Sequence, residues 1–408
     1  MTTTTTPPIP AGETPRRPRR RPAPYGVRAG WMMLASGWSA NQFSALLGAY
    51  RSETGLSASA VTGLFAVYVV GLIPGLLAGG PLADRHGRRP VALTALAVNV
   101  LASAVLMVGA GAPWLLLPGR FLTGAGAGAL LAAGSAWVKE LSAPPYAEEA
   151  GPGTAARRSG LFVSAGFASG GLVAALIAQW APEPMVLAYV PHLLLGGAAW
   201  AAAFRAPETG VREHAPRPVG ENPAEAPVDW RRFRRAVLPL APWVFAAPTV
   251  GFATLPGLTE GRLAGWETVY AGVATLVVPG CGLLVQPLAR RLAATGTVGL
   301  LVMAAGFALA APAAASGRPD LALVAAAVLG TGYGLVLTHC LTETAASAPP
   351  AHLALVSSLF WTAAYVGMFA PFVITLLSGV TAPWTLLASA AVLVLATNAL
   401  FLRLRGRG

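Results

Sequence analysis

The most constraining feature of this sequence is a succession of long apolar segments separated by short polar ones. Each segment has about 20 residues or more, the length at which a helix crosses a hydrocarbon core of about 30 Å. Helices are the only open-ended structure that suits lipid, because lipid offers the backbone no hydrogen-bond partner. The twelve segments are 30–50, 58–82, 91–111, 114–137, 158–180, 184–204, 236–256, 268–288, 296–316, 321–344, 353–378 and 382–402.

The composition favours the same interpretation. Hydrophobic residues make up 55% of the chain and charged residues only 11%, whereas about a quarter of the residues in soluble domains are charged. Such a chain cannot cover a water-facing surface with polar groups. The sequence therefore predicts an all-α membrane protein with 12 transmembrane helices, in contact with membrane lipid.

The basic residues indicate the orientation. The formal net charge is +12, but the arginines lie mostly between the apolar segments, a pattern typical of topology-setting loops and not of a nucleic-acid groove. The loops on the side opposite the N-terminus hold only Arg51, Arg262 and Arg318. This bias predicts a multi-pass plasma-membrane protein with both termini in the cytoplasm.

The longest internal polar segment, residues 206–235, divides the apolar segments six and six. We interpret it as a cytoplasmic linker whose basic end, residues 231–235 (RRFRR), either lies on anionic headgroups or only sets the topology. The predicted units are a disordered basic tail (1–29), a six-helix bundle (30–205), the linker (206–235), a second six-helix bundle (236–403) and a basic C-terminal tail (404–408).

The two bundles resemble each other in sequence. Residues 80–85 (GPLADR) recur as 286–291 (QPLARR), and residues 124–128 (GAGAG) recur as 330–334 (GTGYG), both 206 residues later. Two matches at one offset indicate duplication of a six-helix unit. Both units begin on the same side, so the repeats are parallel, as in transporters that bind substrate between their halves near the midplane.

The loop after the second segment, residues 80–89 (GPLADRHGRR), resembles the loop signature of the major facilitator superfamily (MFS). The resemblance implies the MFS fold. It also implies that this loop is a latch, which holds the halves together on the cytoplasmic side in the outward-open state and faces the start of the eleventh segment near His352. Arg290 replaces Asp84 in the second copy, which implies that the latch is lost there. The latch candidates are Gly80, Asp84, Arg85, Gly87, Arg88 and Arg89.

Elementary physics accounts for the residue types in this loop. Gly80 lets a neighbouring helix approach closely, and Asp84 suits the positive N-terminal end of a nearby helix. Gly87 permits a tight turn. The arginines anchor the loop in the cytoplasm.

Arg120 is the most informative single residue, because it lies about seven residues inside the fourth segment, where an ionisable group is costly. Residues 120–126 (RFLTGAG) resemble the family's fourth-helix signature, whose arginine is linked to proton coupling or to ordering the site. The alternative is that Arg120 extends outward to the headgroups as an anchor. If it faces a cavity, we expect it to pair with Asn41, Gln42 or backbone carbonyls.

Several glycines are candidates for close helix packing. Gly166, Gly170 and Gly171 also partly resemble the family's exporter signature, although its proline is missing and packing alone explains them equally well. The packing candidates are Gly124, Gly126, Gly128, Gly166, Gly170, Gly171, Gly330, Gly332 and Gly334.

The remaining polar candidates each have two interpretations. Asn41 and Gln42 either contact a substrate or bond between helices. His339 and Glu343, four residues apart, either carry a proton or lie in water near the end of their helix. Trp361 and Tyr365, in mid-segment and also four apart, are candidates for lining a cavity.

The first six segments contain no deep Asp or Glu, which favours an uncharged, weakly acidic or amphiphilic substrate. Neither a nucleotide-binding loop, a metal-ligand cluster nor a catalytic constellation is recognisable, so we expect no cofactor and no enzymatic activity. The sequence predicts a monomeric secondary transporter. Export coupled to protons, as in an antiporter, is the first interpretation, import of a nutrient or metabolite is the second, and a membrane enzyme or transport-dead receptor is the third.

Overall fold

The computed structural model describes residues 25–147, 154–209, 227–289, 291–349 and 352–406. The described chain is almost entirely helical and contains no strand. Ten helices in it are long and apolar enough to cross a membrane. They are Ala58–His86, Arg88–Val108, Pro113–Leu141, Arg158–Trp180, Pro184–Phe204, Glu267–Ala289, Thr295–Ser316, Pro319–Ser347, Leu355–Leu377 and Pro383–Arg405.

Two further passages are helical but interrupted. The first consists of Tyr25–Gln42, a 3-10 turn and Leu47–Thr54. The seventh consists of Trp243–Thr249, a π turn and Leu255–Thr259, and its prolines remove backbone donors that a regular helix would use. Together with the ten helices above they make twelve passages, which we number spans 1 to 12 in chain order.

The helix ends differ from the predicted boundaries. Span 1 begins at Tyr25, inside the segment predicted as a disordered tail, and a helical turn begins at Trp230, inside the predicted linker. Charged residues also continue span 2 to His86, because hydropathy locates the hydrocarbon core and helices extend past it into the headgroups. The rest of the tail (1–24) and of the linker (210–226) lies outside the described residues.

Glycines set the closest helix contacts in both halves. A Cβ on Gly124 would overlap the Tyr68 carbonyl oxygen of span 2, and a Cβ on Gly330 would overlap the Val278 carbonyl oxygen of span 8. The same pair of spans, second and fourth in each half, therefore packs backbone to backbone. In the N-terminal half Gly166 packs in the same way against Leu34 of span 1.

Because the spans number twelve, both ends of the described chain lie on one side, which we call the terminal side; the other is the far side. Within the described residues, the hydrogen bonds, ion pair and aromatic pairs that join the halves lie toward the far side. They are Arg51–Glu260, Gln179–Gly265, Trp180–Trp266 and Phe65–Phe252.

Candidate functional site

Arg120 lies inside the N-terminal half, in the first turns of the helix Leu116–Leu141, and its side chain is 0% exposed. Its Nε donates to the Leu64 carbonyl oxygen at 3.3 Å and its Nη2 to the Phe65 carbonyl oxygen at 3.5 Å. The guanidinium thus points into the protein and binds backbone carbonyls, one of the expected pairings. It does not extend to the headgroups.

Aromatic rings surround this guanidinium. Its Cζ lies 4.4 Å from the Phe43 ring centroid and 4.9 Å from the Tyr68 ring centroid, distances at which a cation is attracted to the ring face. Tyr50 and Tyr189, also fully buried nearby, share a hydrogen bond of 2.8 Å between their hydroxyls. The rings partly replace the solvation that burial removes.

The polar groups of this site are incompletely bonded. No ion pair to Arg120 is found among the described residues, its Nη1 has no hydrogen-bond partner, and neither has the Tyr68 hydroxyl. A buried cation without a counter-charge is costly, since several kcal/mol of solvation are lost. A ligand with an anionic or strongly polar group would offset that cost.

The C-terminal half presents aromatic side chains to this region. Phe245 and Tyr365 stack with centroids 4.5 Å apart, and Trp361 lies 6.0 Å from Tyr365. Tyr333 lies 6.3 Å from Phe245. Tyr365 packs in the same buried cluster as Tyr68. The structure therefore brings the sequence candidates Trp361 and Tyr365 to the boundary between the halves, beside the Arg120 group.

Other buried polar atoms in spans 1, 7 and 11 also lack partners in the described structure. They are Trp38 Nε1, Gln42 Oε1, Ser44 Oγ, Thr254 Oγ1 and Thr362 Oγ1. Buried polar groups are normally bonded, so each orphan needs an explanation. Sequence analysis did not single out the three hydroxyls, because isolated hydroxyls in apolar segments have no distinctive pattern.

The side chains of Asn41 and Gln42 donate hydrogen bonds to other residues of the N-terminal half. Asn41 Nδ2 donates to the Phe167 carbonyl oxygen at 2.8 Å, and Gln42 Nε2 donates to Ser103 Oγ at 2.9 Å. Ser103 in turn bonds His192 at 2.8 Å. These amides hold span 1 to its neighbours, and in the described structure neither forms a hydrogen bond with Arg120.

His339 and Glu343 lie near the terminal side and not at the boundary between the halves. Glu343 accepts a hydrogen bond of 2.7 Å from Arg232 Nε, and His339 Nε2 lies 3.2 Å from the Ala236 carbonyl oxygen. Arg232 belongs to the basic stretch before span 7, so the pair fastens that stretch to span 10. The structure does not bring these residues to the Arg120 group.

The latch loop (residues 80–89) is ordered by its own half. Arg88 pairs with Asp84 at 2.8 Å and with Glu140 at 3.4 Å. The carboxylate of Glu208 accepts bonds from the backbone N–H groups of Arg88 and Arg89 at 2.8 and 2.9 Å, at the N-terminus of span 3, where a negative charge is stabilising. Sequence analysis did not single out Glu208. The feature that could have indicated it is an acidic residue immediately after the end of span 6.

Among the described residues, no hydrogen bond or ion pair joins the latch loop to the start of span 11, the element that the resemblance puts opposite it. The Asp84 side chain is 65% exposed and His352 is exposed. Gly87 has φ of +98°, which favours glycine. Gly80 has open space around it, so no close approach is made there in this conformation.

On the far side, by contrast, an ion pair and a hydrogen bond join the two halves. Arg51 and Glu260 form an ion pair at 3.2 Å, and Gln179 Nε2 donates to the Gly265 carbonyl oxygen at 2.6 Å. Deeper in the interface, a Cβ on Gly171 would overlap Thr275 of span 8. Burial, with the nearby charge of Glu267, raises the pKa of the Glu260 carboxyl, and Arg51 offsets this only in part.

Comparison with known proteins identifies the architecture. The family model of the Major Facilitator Superfamily matches residues 29–372. The multidrug resistance protein MdtL of Escherichia coli, and that of Shigella boydii, are 44% identical to this chain over 64 residues. That match covers 16% of this chain and only 16% of the length of these relatives.

Solved structures of other transporters are similar in fold to this chain along nearly its whole length. A mutant of the peptide transporter POT in complex with sulfate has a TM-score of 0.73 at 17% identity, covering 93% of this chain and 95% of its own. A D-xylose-proton symporter has a TM-score of 0.70 at 14% identity, covering 90% and 96%. At these identities the likeness shows the fold, and the predicted membrane fold of two six-helix repeats is confirmed.

Proposed function

The chain belongs to the Major Facilitator Superfamily, and we propose that it exports small amphiphilic molecules with a weakly acidic or strongly polar group, driven by a proton gradient. Family membership makes it a transmembrane transporter and not an enzyme. The proposed substrate site lies between the halves, with the Arg120 group on one side and the aromatic residues around Tyr365 on the other.

The buried, unpaired Arg120 is the observation that carries this proposal. A guanidinium with a nitrogen left unbonded, next to an unbonded Tyr68 hydroxyl, is prepared to donate two hydrogen bonds to one anionic or polar group. Charge-assisted bonds of this type are the strong ones. The rings of Phe245, Trp361 and Tyr365 would cover the apolar part of the same molecule.

The arrangement of the halves supports alternating access. Among the described residues, the hydrogen bonds, ion pair and aromatic pairs between them lie toward the far side, while Asp84 and His352 on the terminal side are exposed. This is one end state of a rocking motion. In the opposite state, we propose, the latch residues Gly80, Asp84 and Arg85 with Gly87, Arg88 and Arg89 close the terminal side.

Two observations favour export as the direction of transport. The MdtL relatives are named as multidrug resistance proteins, which favours export, and the partial exporter signature at Gly166, Gly170 and Gly171 points the same way. Import is the alternative, since the structural relatives include a proton symporter. We propose that the protein works as a monomer in the plasma membrane with both termini in the cytoplasm.

Transport by the purified protein in proteoliposomes tests the proposal. An imposed proton gradient should drive an amphiphilic weak acid, such as a fluorescent aromatic carboxylate, faster than a permanent cation of the same size. Collapse of the gradient with a protonophore should stop this transport. A preference for the cation would contradict the site chemistry, whereas substrate and proton movement in the same direction would favour import.

A further inference from the structure

A groove lies on the outer face of the N-terminal half, at its terminal-side end. It has a volume of about 550 Å³ and is lined by Arg28 of span 1 and by the last turns of span 6. None of its lining residues takes part in the contacts that join the halves. The lining residues are Arg28, Trp200, Ala201, Ala202, Phe204 and Arg205.

The floor of this groove is aromatic. Trp200 and Phe204, one turn apart on span 6, stack with ring centroids 4.9 Å apart. Their side chains are 37% and 45% exposed. Exposed aromatic rings at the end of a span are typical of the level at which hydrocarbon meets headgroups.

The rim of the groove is cationic. Arg28 and Arg205 line it, and the guanidinium of Arg89 lies 5.0 Å from the Phe204 ring centroid. Among the described residues none of these arginines forms an ion pair, and no acidic side chain lines the groove. Three cations therefore lie in or beside the groove, and their guanidinium groups form no ion pair among the described residues.

Span 6 continues the groove as an apolar surface. Leu194 is 70% exposed, and Val27 and Trp31 of span 1 are exposed as well. A soluble anion would leave this surface uncovered, but an acyl chain would lie along it. The combination of a cationic rim and an apolar continuation fits one molecule with a phosphate at one end and hydrocarbon at the other.

We propose that this groove binds an anionic phospholipid of the leaflet on the terminal side. The guanidinium groups of Arg28 and Arg205 bind the phosphate, for which their planar donor geometry is suited. The acyl chains lie against Trp200 and Leu194. Basic pockets between helices are a recurring way of binding such headgroups. The lipid then fastens the first turn of span 1 to the last turn of span 6, independently of the substrate that the protein carries.

Native mass spectrometry and thermal unfolding of the purified full-length protein test this site. Phosphatidylglycerol should be retained and should raise the unfolding temperature, whereas phosphatidylcholine and inorganic phosphate should do neither. Loss of two charged hydrogen-bonding groups in Arg28→Gln/Arg205→Gln should weaken the lipid's affinity about tenfold or more. The matched control Arg403→Gln/Arg405→Gln removes two terminal-side arginines of the other half and should bind like the wild type.

Three results would overturn the proposal: equal retention of phosphatidylglycerol by the double variant, equal stabilisation by phosphatidylcholine, or equal stabilisation by inorganic phosphate. A photoreactive phosphatidylglycerol on the wild-type protein decides the matter if the variant does not fold. Cross-linking should be concentrated in the peptide that contains residues 200–205, and cross-linking concentrated elsewhere would refute the site.

Discussion

Gly171 offers a direct way to disturb the closed far side. A Cβ at this position would lie 2.7 Å from Thr275 Cβ and closer still to Thr275 Oγ1. Thr275 belongs to the other half, is 0% exposed, and donates to the Gly272 carbonyl oxygen at 2.7 Å. Its side chain therefore cannot move aside without losing that bond, so Gly171→Ala should push the halves apart at this level.

The size of the effect follows from the overlap. Overpacking of a tight interface costs about 1–3 kcal/mol. Since the clash is between the halves, the cost falls on the closed far side and disappears when the far side opens. A cost of this size changes the ratio of open to closed molecules about 5- to 150-fold.

Labelling of a cysteine in the interface measures that ratio. Ser44→Cys is suitable because Ser44 is 2% exposed and its turn packs against span 8. With Cys281 and Cys340 replaced, a membrane-impermeant thiol reagent applied on the far side should label this cysteine several times faster when Gly171→Ala is present.

Two glycines serve as controls. Gly197→Ala adds a Cβ in open space and should leave labelling unchanged. Gly166→Ala overlaps the Leu34 carbonyl oxygen within the same half, so it should lower abundance in the membrane without changing the open-to-closed ratio. If Gly171→Ala labels at the same rate as Gly197→Ala, the far side is not closed by this contact and the reasoning is refuted.

Three further predictions concern the two sides of the protein. The closed far side raises the pKa of the Glu260 carboxyl, so the closed state holds the Glu260 proton more tightly than the open state does. Acidification through the interval just above the usual carboxyl pKa of 4.5 should therefore favour closure, seen as a shorter distance between spin labels on the far-side loops. Glu260→Gln should abolish this pH dependence, whereas Asp320→Asn should preserve it. Asp84→Asn should leave the protein inserted but slow transport by favouring the terminal-side-open state, so wild-type rates would argue against a latch. In intact cells, cysteines at positions 260–267 should be labelled from outside and those at 84–89 or 210–230 should not; labelling of 210–230 would contradict the topology.

Hydropathy and the internal repeat predicted most of the fold. Hydropathy reports on the solvent around a helix, and the repeat reports on duplication of the six-helix unit. The twelve segments, the parallel halves and the close packing at Gly124 and Gly330 all have a local sequence pattern. The interrupted spans 1 and 7 do not, since a 3-10 or π turn depends on packing as well as on proline. Boundaries near Tyr25 and His86 were missed because helices continue where hydropathy ends.

The site was only partly predictable. Arg120 could be found because a deep charge is rare, and the carbonyls of Leu64 and Phe65 fit the expected pairing. That Asn41 and Gln42 bond within their own half could not be known, since an amide in a span serves substrate and neighbour equally well. The bonds from Glu208 to Arg88 and from Arg232 to Glu343 were missed because the partners lie more than one hundred residues apart in the chain.

Transport by Arg120 variants, measured beside their abundance in the membrane, tests the central claim most directly. Removing the guanidinium loses two long bonds to carbonyls and two ring contacts but also relieves the desolvation of an unpaired charge, so Arg120→Ala should remain abundant while transport is abolished. Arg120→Lys should rescue transport only in part, because lysine lacks the planar fork of donors. Full transport by Arg120→Lys at normal abundance would remove Arg120 from the substrate site.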